Sequence, residues 1–166
     1  MIDQHYWIER LDLKRHLEGG YFKPTYTSKD IIPVHGVPER FTGERPVSTA
    51  IYYLLPGDSF SAFHRLKADE LWHFYAGTSL TIHIIDRTGG YSQRKLGHCL
   101  DHGETFQAVI EAGCWFGAAV DDSRSYSLVG CTVAPGFDFN DFEIGDRQML
   151  IELFPAYEQV IIRLTR

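Results

Sequence analysis

The stretch from Gly57 to Gly77 constrains this chain more than any other. It reads Gly-Asp-Ser-Phe-Ser-Ala-Phe-His-Arg-Leu-Lys-Ala-Asp-Glu-Leu-Trp-His-Phe-Tyr-Ala-Gly, two runs of strand-forming residues on either side of a short turn at Lys67-Ala68-Asp69. Alternate side chains of a strand share a face, so His64 is expected to point with Ala62 and Phe60, and Glu70 with Trp72 and Phe74. His73 has the opposite parity to Glu70 and reaches its face only through a bulge.

The spacing resembles an altered first cupin motif, in which a glycine is followed by five residues, His-x-His, three or four residues, a glutamate, six residues and a glycine. His64, Glu70 and Gly77 stand at that spacing. The gap from Gly57 to His64 is one residue longer, and Leu66 occupies the place of the second histidine. If the turn pairs its strands as in cupins, His64 and Glu70 meet inside a barrel lined by aromatics.

A chain of 166 residues and 19.0 kDa suits one domain, residues 1–166, with a core of its own. The formal charge of −6 and pI near 5.7 speak against nucleic acid or an anionic membrane as partner. No apolar run is long enough to cross a bilayer, and Met1-Ile2-Asp3-Gln4-His5 lacks the regions of a leader, so a cytoplasmic location is expected. Cys99, Cys114 and Cys131 form no C-x-x-C pair and read as free thiols.

Trp7, Ile8 and Leu11 recur at helical spacing and predict a helix over about 4–13. Tyr21 to Thr27 reads as a strand whose Pro24 marks a sheet edge, one that could pair across a dimer. Residues 28–46 carry Pro33, Gly36, Pro38, Gly43 and Pro46 and predict a long loop, either a lid over a barrel mouth or a surface excursion. Closely spaced strands follow over 47–55, 59–66, 71–75, 80–86, 91–96, 105–110, 114–120 and 125–133, separated by turn residues. Asp146 is a candidate N-cap for a helix stopped by Pro155, and a second short helix carries Val160, Ile161 and Leu164. The fold class is therefore mainly all-β: an antiparallel jelly-roll β-barrel over about 17–142, with terminal helices over about 4–13 and 146–164 that cover an outer face.

Leu17-Glu-Gly-Gly-Tyr-Phe, Ser48-Thr-Ala-Ile-Tyr-Tyr-Leu-Leu, Phe63 to Phe74 and Ser127 to Phe139 together resemble the cupin group called domain of unknown function 985, or cupin 5. The resemblance implies an RmlC-like jelly roll and a homodimer. Around Gly113, Thr105, Glu111, Phe116 and Val120 occupy the places of the second cupin motif. The implied metal positions are then His64, Leu66, Glu70 and Phe116, and two of these cannot ligate; three protein ligands are the usual minimum. No metal and no cofactor is expected.

His64 is the candidate general base, oriented by Glu70. Thr49, Tyr53, Phe60, Lys67, Trp72 and Phe116 are candidate substrate contacts, the hydroxyl and cationic groups orienting a small polar or carbohydrate-like ligand and the aromatics stacking on it or simply forming core. His98 and His102 flank Cys99 without ligand spacing, and with His5, His16 and His35 they read as surface histidines. Three functions stay open: a metal-independent isomerase or epimerase of a sugar-like substrate, by analogy with barrel epimerases that use a histidine base; a cupin that binds or senses a small molecule without transforming it; and a metal-dependent cupin with atypical ligands.

Overall fold

Turn residues set the rhythm of this chain. The computed structural model describes residues 3–166; Met1 and Ile2, part of the segment read for a leader, lie outside them. Helix α1 (Gln4–Arg10) precedes strands β1 (Lys14–Arg15), β2 (Tyr21–Thr27), β3 (Ile31–Ile32), β4 (Arg45–Pro46), β5 (Thr49–Pro56), β6 (Phe60–Leu66) and β7 (Asp69–Gly77). Strands β8 (Leu80–Ile85), β9 (Tyr91–Leu96), β10 (Gln107–Ile110), β11 (Trp115–Val120), β12 (Tyr126–Ala134) and β13 (Phe142–Ile144) follow, then helices α2 (Arg147–Leu153) and α3 (Glu158–Arg163). Helix α1 ends earlier than expected because Asp12 turns to φ 52° and the Leu13 N–H closes back on the Ile8 carbonyl.

Two antiparallel sheets face each other, one in the order β1-β2-β5-β12-β7-β10 and one in the order β13-β6-β11-β8-β9. Tyr53, Trp72, Val129 and Cys131 of the first interlock with Ile82, Phe116, Ala118 and Val120 of the second. This is the jelly roll that the strand spacing predicts. Helices α2 and α3 lay Leu150, Ile161 and Leu164 on the outer face of the second sheet, against Phe63, Ile85 and Trp115. Asp146 caps α2 by accepting from the Met149 N–H at 2.9 Å.

Two local departures decide where the site residues point. The turn after β6 passes the chain from one sheet to the other, so β6 and β7 are not paired with each other. His64 and Glu70 therefore approach across the barrel interior rather than as cross-strand neighbours. Between β6 and β11 the register runs from Phe116 opposite His64 to Ala118 opposite Ser61, an extra residue on β6. Such a bulge reverses the alternation beyond it. Ser61 and His64 consequently share the interior, whereas Phe60 joins Phe63 in the outer cluster, contrary to the simple parity expected for it.

The 28–46 segment is a long excursion with structure of its own. Strands β3 and β4 pair within it, Phe41 is buried in one cluster with Leu66, Ala68 and Val133, and Arg45 is buried as well, with its guanidinium over the Phe41 ring. Arg45 donates from Nε to Asp141 Oδ2 at 2.6 Å and from its terminal nitrogen to Asp141 Oδ1 at 2.8 Å. This two-pronged pair ties the excursion to the connector between β12 and β13; Phe137 and Phe139 of that connector and Phe142 at the start of β13 line the barrel mouth. A buried pair that loses one partner leaves an uncompensated charge. Arg45→Met should therefore destabilise the fold by about 3–5 kcal/mol, read as a lower midpoint in urea unfolding; an unchanged midpoint would mean that the pair does not hold the excursion down.

Candidate functional site

The barrel encloses a cavity of about 180 Å³ with Glu18, Tyr53, His64, Glu70, His16 and Thr49 among its walls. Ordinary ligand sites run to roughly 300–1,000 Å³, so this one suits a small molecule or one end of a larger one. A wider cleft of about 840 Å³ lies outside, behind Leu66 and Phe142. Its Arg65 and Lys67 are paired with Glu143 and Asp141, and it reads as a solvated groove rather than a place for chemistry.

Glu18 enters the barrel on the turn before β2. Gly19 and Gly20 follow with φ of 122° and 67°, and a Cβ at Gly19 would collide with the Phe60 carbonyl. The Glu18 backbone carbonyl accepts from the Ala62 N–H at 2.8 Å and from Arg166 at 2.7 Å. Its carboxylate accepts from the Ser61 hydroxyl at 2.9 Å and lies 3.2 Å from His64 Nε2. His16 Nδ1 sits 3.6 Å from the same carboxylate and accepts from the Glu18 N–H at 3.4 Å. Tyr53 donates to the Gly19 carbonyl at 3.0 Å and closes this side of the cavity.

His64 is held at both nitrogens. Nδ1–H donates to the Ala62 carbonyl at 2.7 Å, so one proton is left to lie between Nε2 and Glu18. Phe116 and Phe142 pack on its ring at 4.1 and 5.2 Å between centroids. Burial pulls the His64 pKa down; the Glu70 charge and the Ala62 carbonyl oppose this without overcoming it. Burial likewise raises Glu18, against the pull of His16, Ser61, Tyr53 and Arg166. The pair is thus biased toward a carboxylic acid facing a neutral imidazole.

Glu70 behaves differently. Burial pushes its pKa up to about 7, with His64 opposing and Glu18 adding to the shift. The Trp72 indole and the Cys131 thiol favour its charge, yet too loosely to satisfy it: Glu70 Oε2, like Trp72 Nε1, is buried with no hydrogen-bond partner. It is a cavity-facing carboxyl poised between its two forms near neutrality.

Several expectations are corrected here. The direct carboxylate partner of His64 is Glu18, while Glu70 acts on it by charge alone, because the two strands belong to different sheets. Thr49 and Tyr53 do line the cavity, whereas Trp72 and Phe116 form the packed layer behind it. Phe60 faces the helices because of the bulge, and Lys67 turns outward to Asp141. His16 is a cavity residue rather than a surface one; His98 and His102 are exposed as expected. Glu18 carried one sequence signal, an acid placed directly before a glycine pair.

Of the implied metal positions, Leu66 and Phe116 contribute no donor, and among the described residues no group of three or more His, Cys, Asp or Glu is arranged to hold a metal ion. The donor set does not fit a cupin metal.

The poise of Glu70 has a thermodynamic signature. A carboxyl whose folded pKa lies above its unfolded value binds more protons in the folded state, so its neutral form stabilises at low pH and the contribution is lost as pH rises through about 7. Glu70→Gln should therefore raise stability by on the order of 2–3 kcal/mol at pH 8 and leave it little changed near pH 4. Thermal unfolding at the two pH values measures this, and equal effects at both would contradict the assigned shift.

Comparison with known proteins agrees with the architecture. The family described as "Cupin superfamily (DUF985)" matches residues 5–145. No curated protein matches. A crystal structure of a protein from Shewanella oneidensis is 38% identical, with 100% of this chain and 99% of that one covered and a TM-score of 0.89. A hypothetical protein from Leishmania major is 34% identical, with 99% of each chain covered and a TM-score of 0.89. Oxalate decarboxylase from Bacillus subtilis shares the fold at 15% identity and a TM-score of 0.56, over 93% of this chain and 37% of that one. Among the described residues no helix is long and apolar enough to cross a membrane. A jelly roll with an altered histidine motif and an inward pair of glutamates thus belongs, by its match over most of its length, to the DUF985 family of the cupin superfamily.

Proposed function

We propose that this protein is a metal-independent cupin enzyme that binds one small, polar, carbohydrate-like molecule in its barrel and moves a proton on it, as an isomerase or epimerase does. The supporting observation is Glu70, a buried carboxyl open to the cavity, free of hydrogen-bond partners at Oε2 and titrating at about 7. A general acid–base group works best with its pKa near the working pH. His64, expected to be the base, has both nitrogens engaged and a lowered pKa, which suits it to a supporting role.

In this reading ionised Glu70 takes the proton from a carbon next to a carbonyl, the C–H electron pair becomes the carbon–carbon double bond as the carbonyl π pair moves to oxygen to give an enolate, and the double bond then takes to carbon the proton held between His64 and Glu18. The charges balance when the two acid–base groups re-equilibrate. A barrel that only binds or senses its ligand is the second reading, favoured by the full engagement of His64. The proposal also includes one domain, a cytoplasmic location and a homodimer formed along the β2 edge, where Pro24 to Thr27 lie beyond the reach of the short β1; light scattering at known protein concentration tests the last.

The assay is uptake of solvent deuterium into a panel of small hydroxy-aldehydes and hydroxy-ketones, followed by proton NMR. Exchange should rise with pH through about 7 as Glu70 ionises, and fall by at least about a hundredfold in Glu70→Gln, the usual size of an acid–base contribution. Ligand-induced shifts of the His64 resonances without any exchange would favour the binding reading instead.

A further inference from the structure

Resting on the reading that the barrel is the ligand site, we propose that its small polar ligand carries a positive charge beside its hydroxyl and carbonyl groups: an organic ammonium group seated between the buried carboxyls and the aromatic walls of the cavity. The wall chemistry is lopsided. Glu18 and Glu70 contribute two carboxyls, and no lysine or arginine lines the cavity. Phe22, Tyr26, Phe137 and Phe142 line the same cavity. An anionic ligand entering here would oppose the ionisation of Glu70 in a low-dielectric space, and would find no lysine or arginine to pair with.

A neutral polyol would leave the second feature unexplained. Glu70 Oε2 is buried without a partner, which costs free energy unless something in the cavity completes it. A hydroxyl would supply one hydrogen bond. An ammonium supplies charge as well, and an aromatic lining is a surrounding that a desolvated cation tolerates better than an anion does. The cavity of about 180 Å³ limits the head group to a few heavy atoms.

The groups that face Glu70 and would titrate with it are few. His64 on β6 is biased to its neutral form, Glu18 on the entering turn shares its proton with that histidine, and Cys131 on β12 is held well above its usual range by burial. His16 is lowered by burial, and the Arg166 guanidinium is spent on the Glu18 and Phe60 carbonyls and the Phe60 ring and is not among the residues that line the cavity. None of them adds a fixed positive charge to the interior. A bound cation would hold Glu70 ionised and would therefore bind better as pH rises through about 7.

The test uses choline and its uncharged carbon isostere, in which a tert-butyl group replaces the trimethylammonium, titrated against the full protein by NMR of the histidine side chains and by calorimetry. Choline should shift the His64 and His16 resonances, bind at least about tenfold more tightly than the isostere, and gain about tenfold in affinity between pH 6 and pH 8, the ratio of ionised Glu70 for a pKa near 7. Glu70→Gln should abolish the preference for the cation while the isostere still binds, which separates a lost charge from a lost fold. Equal binding of the two probes, or a preference for choline that survives Glu70→Gln, overturns the inference. If neutral hydroxy-carbonyl compounds move His64 and choline does not, the charge assignment fails and the barrel site stands; if no probe moves His64, both fail.

Discussion

The backbone and carboxylate of Glu18 are the junction on which the interior depends. Its carbonyl takes the Ala62 N–H and the Arg166 guanidinium, and its carboxylate takes Ser61 and faces His64. Four hydrogen-bonding groups from β6 and from beyond α3 thereby converge on one residue of an irregular turn. The bulge in β6 makes this convergence available, because it puts Ser61 and His64 on the same inward face and turns the Ala62 backbone toward the Glu18 turn. Without the bulge, Phe60 and Ala62 would share the interior with His64, and the carboxylate would be buried with little to receive it.

Glu70 is the counterweight. Glu18 is over-supplied with partners, while Glu70 Oε2 has none, although both are buried in the same cavity. Burial without compensation costs stability, and the cost rises with pH as the carboxyl ionises. A fold that keeps such a group accepts a penalty in a place where Gln would fit with a smaller one. Stability is commonly given up at sites that bind or react.

Much of this was legible in the sequence. Pro56-Gly57, Gly77-Thr78 and Gly89-Gly90 punctuate the strands closely enough that little but an antiparallel barrel fits them, and the family model covers the same span. Asp146 before an apolar turn and Pro155 after it located the last helices. Inward placement of His64 and Glu70 followed from motif spacing. The rest was hidden for definite reasons. A bulge adds one residue without any compositional mark, so the direction of Phe60 was misjudged. His16 and Glu18 sit on a turn without periodicity, and their burial arises from contacts with β6, far away in sequence. The pairing of Arg45 with Asp141 is equally non-local, which is why 28–46 read only as loop.

The absent ligands and the poised carboxyl are two sides of one arrangement. Leu66 and Phe116 stand at positions where the cupin motifs imply metal ligands; Leu66 shares the cavity wall with His64 and Glu70, and Phe116 packs on the His64 ring. A metal ion would hold a carboxylate ionised and bring its pKa far down. Apolar side chains at the same positions do the opposite: they remove the cation and its waters, lower the local dielectric, and leave desolvation as the dominant influence on Glu70. The apolar side chains that take two donors out of the barrel are also the ones that leave the Glu70 pKa near 7. On the proposed reading, the character of two side chains then decides whether His64 and Glu70 within this scaffold would hold a metal or move a proton.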